Sequence, residues 1–277
     1  MNRTAEAGGV HAGPTVPILM YHEVADRRDT RSRLAVSPGS FAAQIAYLHG
    51  AGFRTVTFGQ AAAALTGAGR ELPERPVVLT FDDGFADFHR EALPLLARYG
   101  FTATVFVTTG WIQDAGPHAA GNRPGQMLCW SQIREAAAAG VEIGGHSHTH
   151  AQLDQIGESR LQDELAVSKA LLEDGLGRAV PSLAYPFGYS SARVRQMVRD
   201  SGYGYACAVA NSVARPAQDR FTLPRLTVRR STKQPTFEHV VRGSNQSMIY
   251  LKDHALTKGW AMVRRSRAAL GGASQRD

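Results

Sequence analysis

The stretch Val77-Val78-Leu79-Thr80-Phe81-Asp82-Asp83-Gly84 decides the fold. An apolar run runs straight into a pair of aspartates and a glycine, so a buried strand delivers two carboxylates at its end. A second stretch repeats the arrangement: Val141-Glu142-Ile143-Gly144-Gly145 leads directly into His146-Ser147-His148-Thr149-His150. Groups placed just beyond strand ends are where α/β folds collect their chemistry. One carboxylate plus two imidazoles is a ligand set for an open divalent metal site, and a second carboxylate beside them supplies a base.

Outward from these stretches the chain alternates between strand and helix. Residues 16–20 read as a first strand running into Tyr21-His22-Glu23. Ser40 reads as the N-cap of a helix with Phe41, Ile45 and Leu48 on one face and Gly50 at its end. A short strand is expected over 54–58 and a helix from 61 to 65, dissolving into Gly67-Ala68-Gly69. Beyond Pro76 the pattern settles into strand 77–81, helix 91–99, strand 103–108 and a long glycine- and proline-bearing loop, 110–127. Ser131 is expected to cap a helix over 132–139. Strand 141–143, helix 159–173, a strand ending at Leu183-Ala184, helix 192–200 and strand 205–209 follow. Such succession favours a parallel sheet closed into a barrel.

The bulk composition excludes several classes. The chain has 277 residues, 43% hydrophobic and 20% charged, and can bury a full-sized core. Its two cysteines, Cys129 and Cys207, have no CxxC spacing and imply neither a disulfide framework nor a cysteine metal site; both read as buried thiols. No apolar run is long enough to span a bilayer, and the first 17 residues lack a signal-peptide core, so the sequence as it stands reads as cytoplasmic. Seven Lys/Arg against two Asp between Arg242 and Asp277 supply +5 of the net +7. A basic tail of this kind suits peripheral contact with an anionic membrane surface. Stacking aromatics interleaved with basic residues are missing, which argues against nucleic acid. The organisation expected is a flexible arm over 1–15, one catalytic domain over 16–240 with its core motifs in 76–230, and a basic tail over 241–277.

Adjacent aspartates on an extended strand face opposite ways, so both reach one site only if the strand ends and turns, which Gly84 permits. One aspartate then binds metal and the other stays free to take a proton. Two of the three histidines 146, 148 and 150 converge once the chain leaves its strand. His22, at the end of the first strand, is a candidate general acid.

These residues resemble the polysaccharide deacetylases, carbohydrate esterase family 4. Thr80-Phe81-Asp82-Asp83-Gly84 is similar to their first signature, His146 to His150 to the second, and Tyr185-Pro186-Phe187-Gly188 to the third. The resemblance implies an α/β fold, a distorted (β/α) barrel of about seven units. It implies Asp83, His146 and His150 as ligands of a divalent metal, usually zinc, with Asp82 as general base and His148 between the ligands without binding. Many members carry an arginine in the third signature where this chain has Ala184; Arg225, in Leu223-Pro224-Arg225-Leu226, is the candidate replacement. The late Leu-x-His signature that usually supplies the acid is missing after Phe221. The segment from Pro17 to Val24 looks like the N-terminal element of a circularly permuted branch acting on poly-N-acetylglucosamine, in which an early histidine, here His22, is the acid. The implied reaction removes N-acetyl groups from an N-acetylhexosamine glycan, with Tyr21, Tyr185 and Phe187 contacting substrate and a backbone N–H near Phe187 stabilising the oxyanion. Rival readings are an amide hydrolase on a small non-sugar substrate and a catalytically silent glycan binder.

Overall fold

The computed structural model describes residues 15–26 and 28–255. The expected N-terminal arm, apart from Thr15, and residues 256–277 of the basic tail lie outside the described residues. Eight strands occur among the described residues: β1 (Ile18–Tyr21), β2 (Arg54–Thr55), β3 (Pro76–Phe81), β4 (Thr104–Val107), β5 (Glu142–Gly145), β6 (Ser182–Ala184), β7 (Tyr205–Cys207) and β8 (Leu226–Thr227). Every ladder is parallel, in the order β7-β6-β5-β4-β3-β1-β8, with β2 beside the start of β3. A parallel bridge between Cys207 and Leu223 brings the chain just ahead of β8 back against β7. The two edges of the sheet therefore meet, and the sheet curls into a near-closed, distorted barrel.

The helices cover its outside: α1 (Pro38–Gly50), α2 (Phe58–Leu65), α3 (Leu93–Arg98), α4 (Trp130–Ala138), α5 (Glu158–Leu176), α6 (Ala192–Asp200), α7 (Gln234–Val241) and α8 (Gln246–Ile249). Several starts differ from expectation for local reasons. The Ser37 hydroxyl accepts the Ser40 N–H, and Pro38 occupies the first turn, so α1 begins ahead of Ser40. Thr57 and Gln60 form a reciprocal capping box, which turns Phe58 from the end of a strand into the start of α2. The helix expected over 91–99 is divided, a wider helical turn at Phe88–Ala92 preceding α3. Cys129 is only half-buried, correcting the expectation of two buried thiols, while Cys207 lies inside the barrel.

Alternation along the strands separates two apolar layers. Ile18, Val78, Phe106, Ala184, Cys207 and Leu223 fill the barrel interior. Their neighbours Leu19, Leu79, Val105, Leu183, Ala206 and Leu226 pack outward against the helices. Gly144, on the interior face of β5, leaves no room for a side chain: an added Cβ would lie 2.5 Å from Phe106 Cδ1 and 3.0 Å from the Ser182 carbonyl. Gly144→Ala is accordingly expected to lower unfolding free energy by about 1–3 kcal/mol, the cost of overpacking, read from urea denaturation.

Candidate metal centre and catalytic cleft

The site lies at the carboxyl ends of β1, β3, β5 and β6. Thr80 and Asp82 belong to the inward-facing register of β3. Asp83 takes a left-handed backbone with φ 74°, and Gly84 follows at φ 85°. The turn expected at the glycine thus begins one residue earlier, and it brings Asp83 round into the cleft. After β5, Ser147 (φ 63°) and His150 (φ 61°) fold the loop back, and the His150 N–H donates to Ser147 Oγ at 3.0 Å. Glu164 of α5 fixes this loop from behind. Its Oε2 accepts the N–H groups of His148 (2.9 Å) and Thr149 (2.8 Å), and its Oε1 accepts the Thr149 hydroxyl.

Three ligand atoms converge as a result. Asp83 Oδ1 stands 3.4 Å from His146 Nε2 and 3.3 Å from His150 Nε2, and the three ligand atoms all lie within 4.8 Å of one another. Neither approach has hydrogen-bond geometry, which leaves the buried Oδ1 without a partner. An orphaned anionic oxygen facing two imidazoles fits a divalent cation. His146 Nδ1 lies 2.8 Å from the Ala184 carbonyl. A carbonyl only accepts, so the proton sits on Nδ1 and Nε2 is free as a donor of electrons. The His150 ring stacks on Trp111 at 4.9 Å and meets Phe187 edge-on at 4.7 Å. Burial alone would raise the Asp83 carboxyl, but His146 and His150 outweigh it and hold it far below the usual carboxylate range. His148 points elsewhere, its Nδ1 2.9 Å from Thr109 Oγ1, and is not one of the converging group.

Asp82 is bound on both oxygens by Arg225, with Nη1 to Oδ1 at 2.5 Å and Nη2 to Oδ2 at 2.7 Å. Arg225 precedes β8, faces the barrel interior with its guanidinium 5.6 Å from the centre of the Phe106 ring, and is fully buried. Burial would push the Asp82 carboxyl up, but the Arg225 charge, helped by His146, overrides it and holds the group below its usual range. His22 lines the same cleft and its Nδ1 is buried without a partner. Burial lowers its pKa against the opposing pull of Asp83 and Asp82. Asp87 secures the chain beyond it, Oδ1 accepting the Val24 N–H at 2.9 Å.

Two expected substrate contacts are corrected. Tyr21 and Tyr185 are fully buried. Met20 and His22 line the cleft, so strand alternation sends Tyr21 outward, where its hydroxyl donates to Gln44 Oε1 and its ring stacks on Phe81. Tyr185 likewise follows the inward Ala184 and donates to the Phe221 carbonyl at 2.9 Å. Phe187, 49% exposed and left-handed at φ 61°, does stand in the cleft wall. The Gly188 N–H is committed to the Tyr185 carbonyl at 2.8 Å and is not an oxyanion donor. Arg225 was visible as a candidate in the sequence. Glu164 and Asp87 were not; a carboxylate inside an otherwise apolar helical face is the signal that marks Glu164.

Two outcomes follow from this geometry. Arg225→Met strands a buried carboxylate and is expected to cost about 3–5 kcal/mol of stability. Adding Asp82→Asn should recover part of that loss, so an additive double-mutant cycle in urea would count against the pairing. Glu164→Gln is expected to weaken zinc or cobalt binding by about 10- to 100-fold through the loosened loop. Asp83→Ala should remove binding, as read by competition with a chelating dye.

A family model for polysaccharide deacetylases matches residues 69–206. The chain is 29% identical over 213 residues to YxkH of Bacillus subtilis (strain 168), covering 77% of this chain and 71% of that protein. It is 23% identical over 181 residues to the poly-beta-1,6-N-acetyl-D-glucosamine N-deacetylase of Staphylococcus aureus (strain MRSA252), covering 62% of this chain and 59% of that protein, so it spans about three fifths of that relative. Among solved structures, the Streptococcus pyogenes deacetylase PplD in complex with acetate superposes with a TM-score of 0.73 at 25% identity, over 82% of this chain and 98% of that one. Residues 69–206, which carry Asp82, Asp83, His146 and His150, are of the polysaccharide deacetylase family.

Proposed function

We propose that this protein is a zinc-dependent N-deacetylase of an N-acetylhexosamine glycan, of the branch in which an early histidine is the acid. The observation that carries the reading is one cleft holding an ionised carboxylate clamped by Arg225, a separate three-ligand group, and the imidazole of His22. The nitrogen-rich ligand set suits Zn2+ among common divalent ions. Bound by Asp83, His146 and His150, the ion supplies Lewis acidity toward the acetyl carbonyl and toward water.

The chain's own residues account for the proton movements. Asp82, anionic and acceptor-only, takes the proton of the attacking water while Arg225 fixes its plane. The hydroxyl adds to the acyl carbon, and a backbone N–H near Phe187, other than that of Gly188, meets the developing oxyanion. His22 protonates the sugar nitrogen as the C–N bond breaks, leaving acetate and a free amine. The exposed Phe187 ring offers a flat apolar face to a sugar. A glycan substrate is supported by the family match and by the named activity of the Staphylococcus aureus relative.

Acetate release from N-acetylglucosamine oligomers, with and without zinc or cobalt, tests the reading. Asp82→Asn and His22→Ala are each expected to lose about 10²- to 10⁴-fold in rate, with Asp82→Asn keeping its metal. Near-normal turnover in Asp82→Asn, or no acetate from protein with one ion bound per chain, would overturn it.

A further inference from the structure

Residues 225, 227 and 229 share the inward face of the β8 register and climb from the barrel interior to the mouth of the cleft. Arg225 serves Asp82 and Thr227 lines the wall, but Arg229 has no part in the chemistry described above. It forms a bidentate pair with Asp253, Nη1 to Oδ1 at 3.0 Å and Nη2 to Oδ2 at 2.8 Å, and both residues line the cleft that holds the metal ligands. Asp253 sits in a helical segment, 251–255, secured through Tyr250, whose buried hydroxyl donates to the Thr227 carbonyl at 2.8 Å. The segment 251–255 thus reaches back to build the wall of the site.

Arg229 also borders a second depression, lined by Ser37, Ser40, Arg230 and Thr232. The two hollows measure about 450 and 320 Å³ and share this one guanidinium. The pair is not closed off: the side chains of Arg229 and Asp253 are 29% and 23% exposed. Each carboxylate oxygen keeps a spare lone pair and the guanidinium keeps further N–H groups. Side by side, they present acceptors and donors with no net charge. That is the complement of the neighbouring hydroxyls of a neutral sugar, and a poor match for an anionic or cationic one.

The geometry points to the Arg229–Asp253 pair as the recognition element for the sugar flanking the reacting one, making the substrate an oligomer that crosses from the first hollow into the second. The inference rests on the deacetylase reading and extends it from the reacting acetamide to the neighbouring residue of the chain.

The test compares KM and kcat for N-acetylglucosamine dimer and tetramer in wild-type protein, Asp253→Asn, Arg229→Gln and Tyr250→Phe. Wild type is expected to show a lower KM for the tetramer. Asp253→Asn and Arg229→Gln should each raise the tetramer KM about tenfold, the loss of a charged hydrogen bond, and erase the advantage of length, with the change falling on KM rather than kcat. Tyr250→Phe loosens the same segment without removing a polar group from the cleft, and should retain the length dependence. An unchanged tetramer KM in Asp253→Asn, a loss in kcat alone, or an equal KM rise in Tyr250→Phe would overturn the assignment. If wild type releases no acetate from either oligomer, the deacetylase reading fails separately, and calorimetric titration of the tetramer then decides: about tenfold weaker binding in both pair variants sustains the recognition element, and equal or undetectable binding removes it.

Discussion

The bidentate pair between Asp82 and Arg225 is the constraint around which the barrel is arranged. Two charges removed from water are stable only when their geometry is good and their remaining groups are satisfied. Here Thr80 Oγ1 accepts a further N–H from Arg225 at 3.2 Å, and the Phe106 ring lies beneath the guanidinium. Ala184 and Cys207, both small, face the same interior. In exchange, the carboxylate stays ionised and its plane is fixed by both guanidinium contacts.

Around that pair the backbone departs from ordinary conformations. Asp83, Ser147, His150 and Phe187 are all non-glycine residues with positive φ, and all four stand in or beside the cleft. Such conformations cost on the order of 1–3 kcal/mol each and persist only where the surroundings over-determine them. Glu164, Ser147 Oγ and the stacking of Trp111 on His150 provide that support. Folding energy is thereby converted into fixed positions for the converging ligand atoms.

Much of this was legible in the sequence, for a physical reason. Strand ends followed by Asp-Asp-Gly or clustered histidines are local features, and parallel strands carry all such ends to one side of the sheet. The barrel and the converging Asp83, His146 and His150 follow from them. Tyr21 and Tyr185 show where motif proximity misleads: each neighbours an inward-facing residue, so strand alternation alone places it in the outer layer. The partnership of Arg225 with Asp82 spans 143 positions, so the sequence offers Arg225 as a candidate only through the arginine missing at Ala184. β8 is two residues long, too short to register as a strand. Glu164 is hidden within the apolar stripe of a helix, and its purpose emerges only when the histidine loop is seen resting on it.

The route taken by Arg225 bears on where the partner of Asp82 can come from. The barrel axis is a common volume onto which every strand opens, so a guanidinium entering from any inward position can meet the same carboxylate. Alanine at position 184 therefore does not leave Asp82 without a guanidinium partner. What the carboxylate requires is a guanidinium at one location in space, whichever place in the order of the chain delivers it.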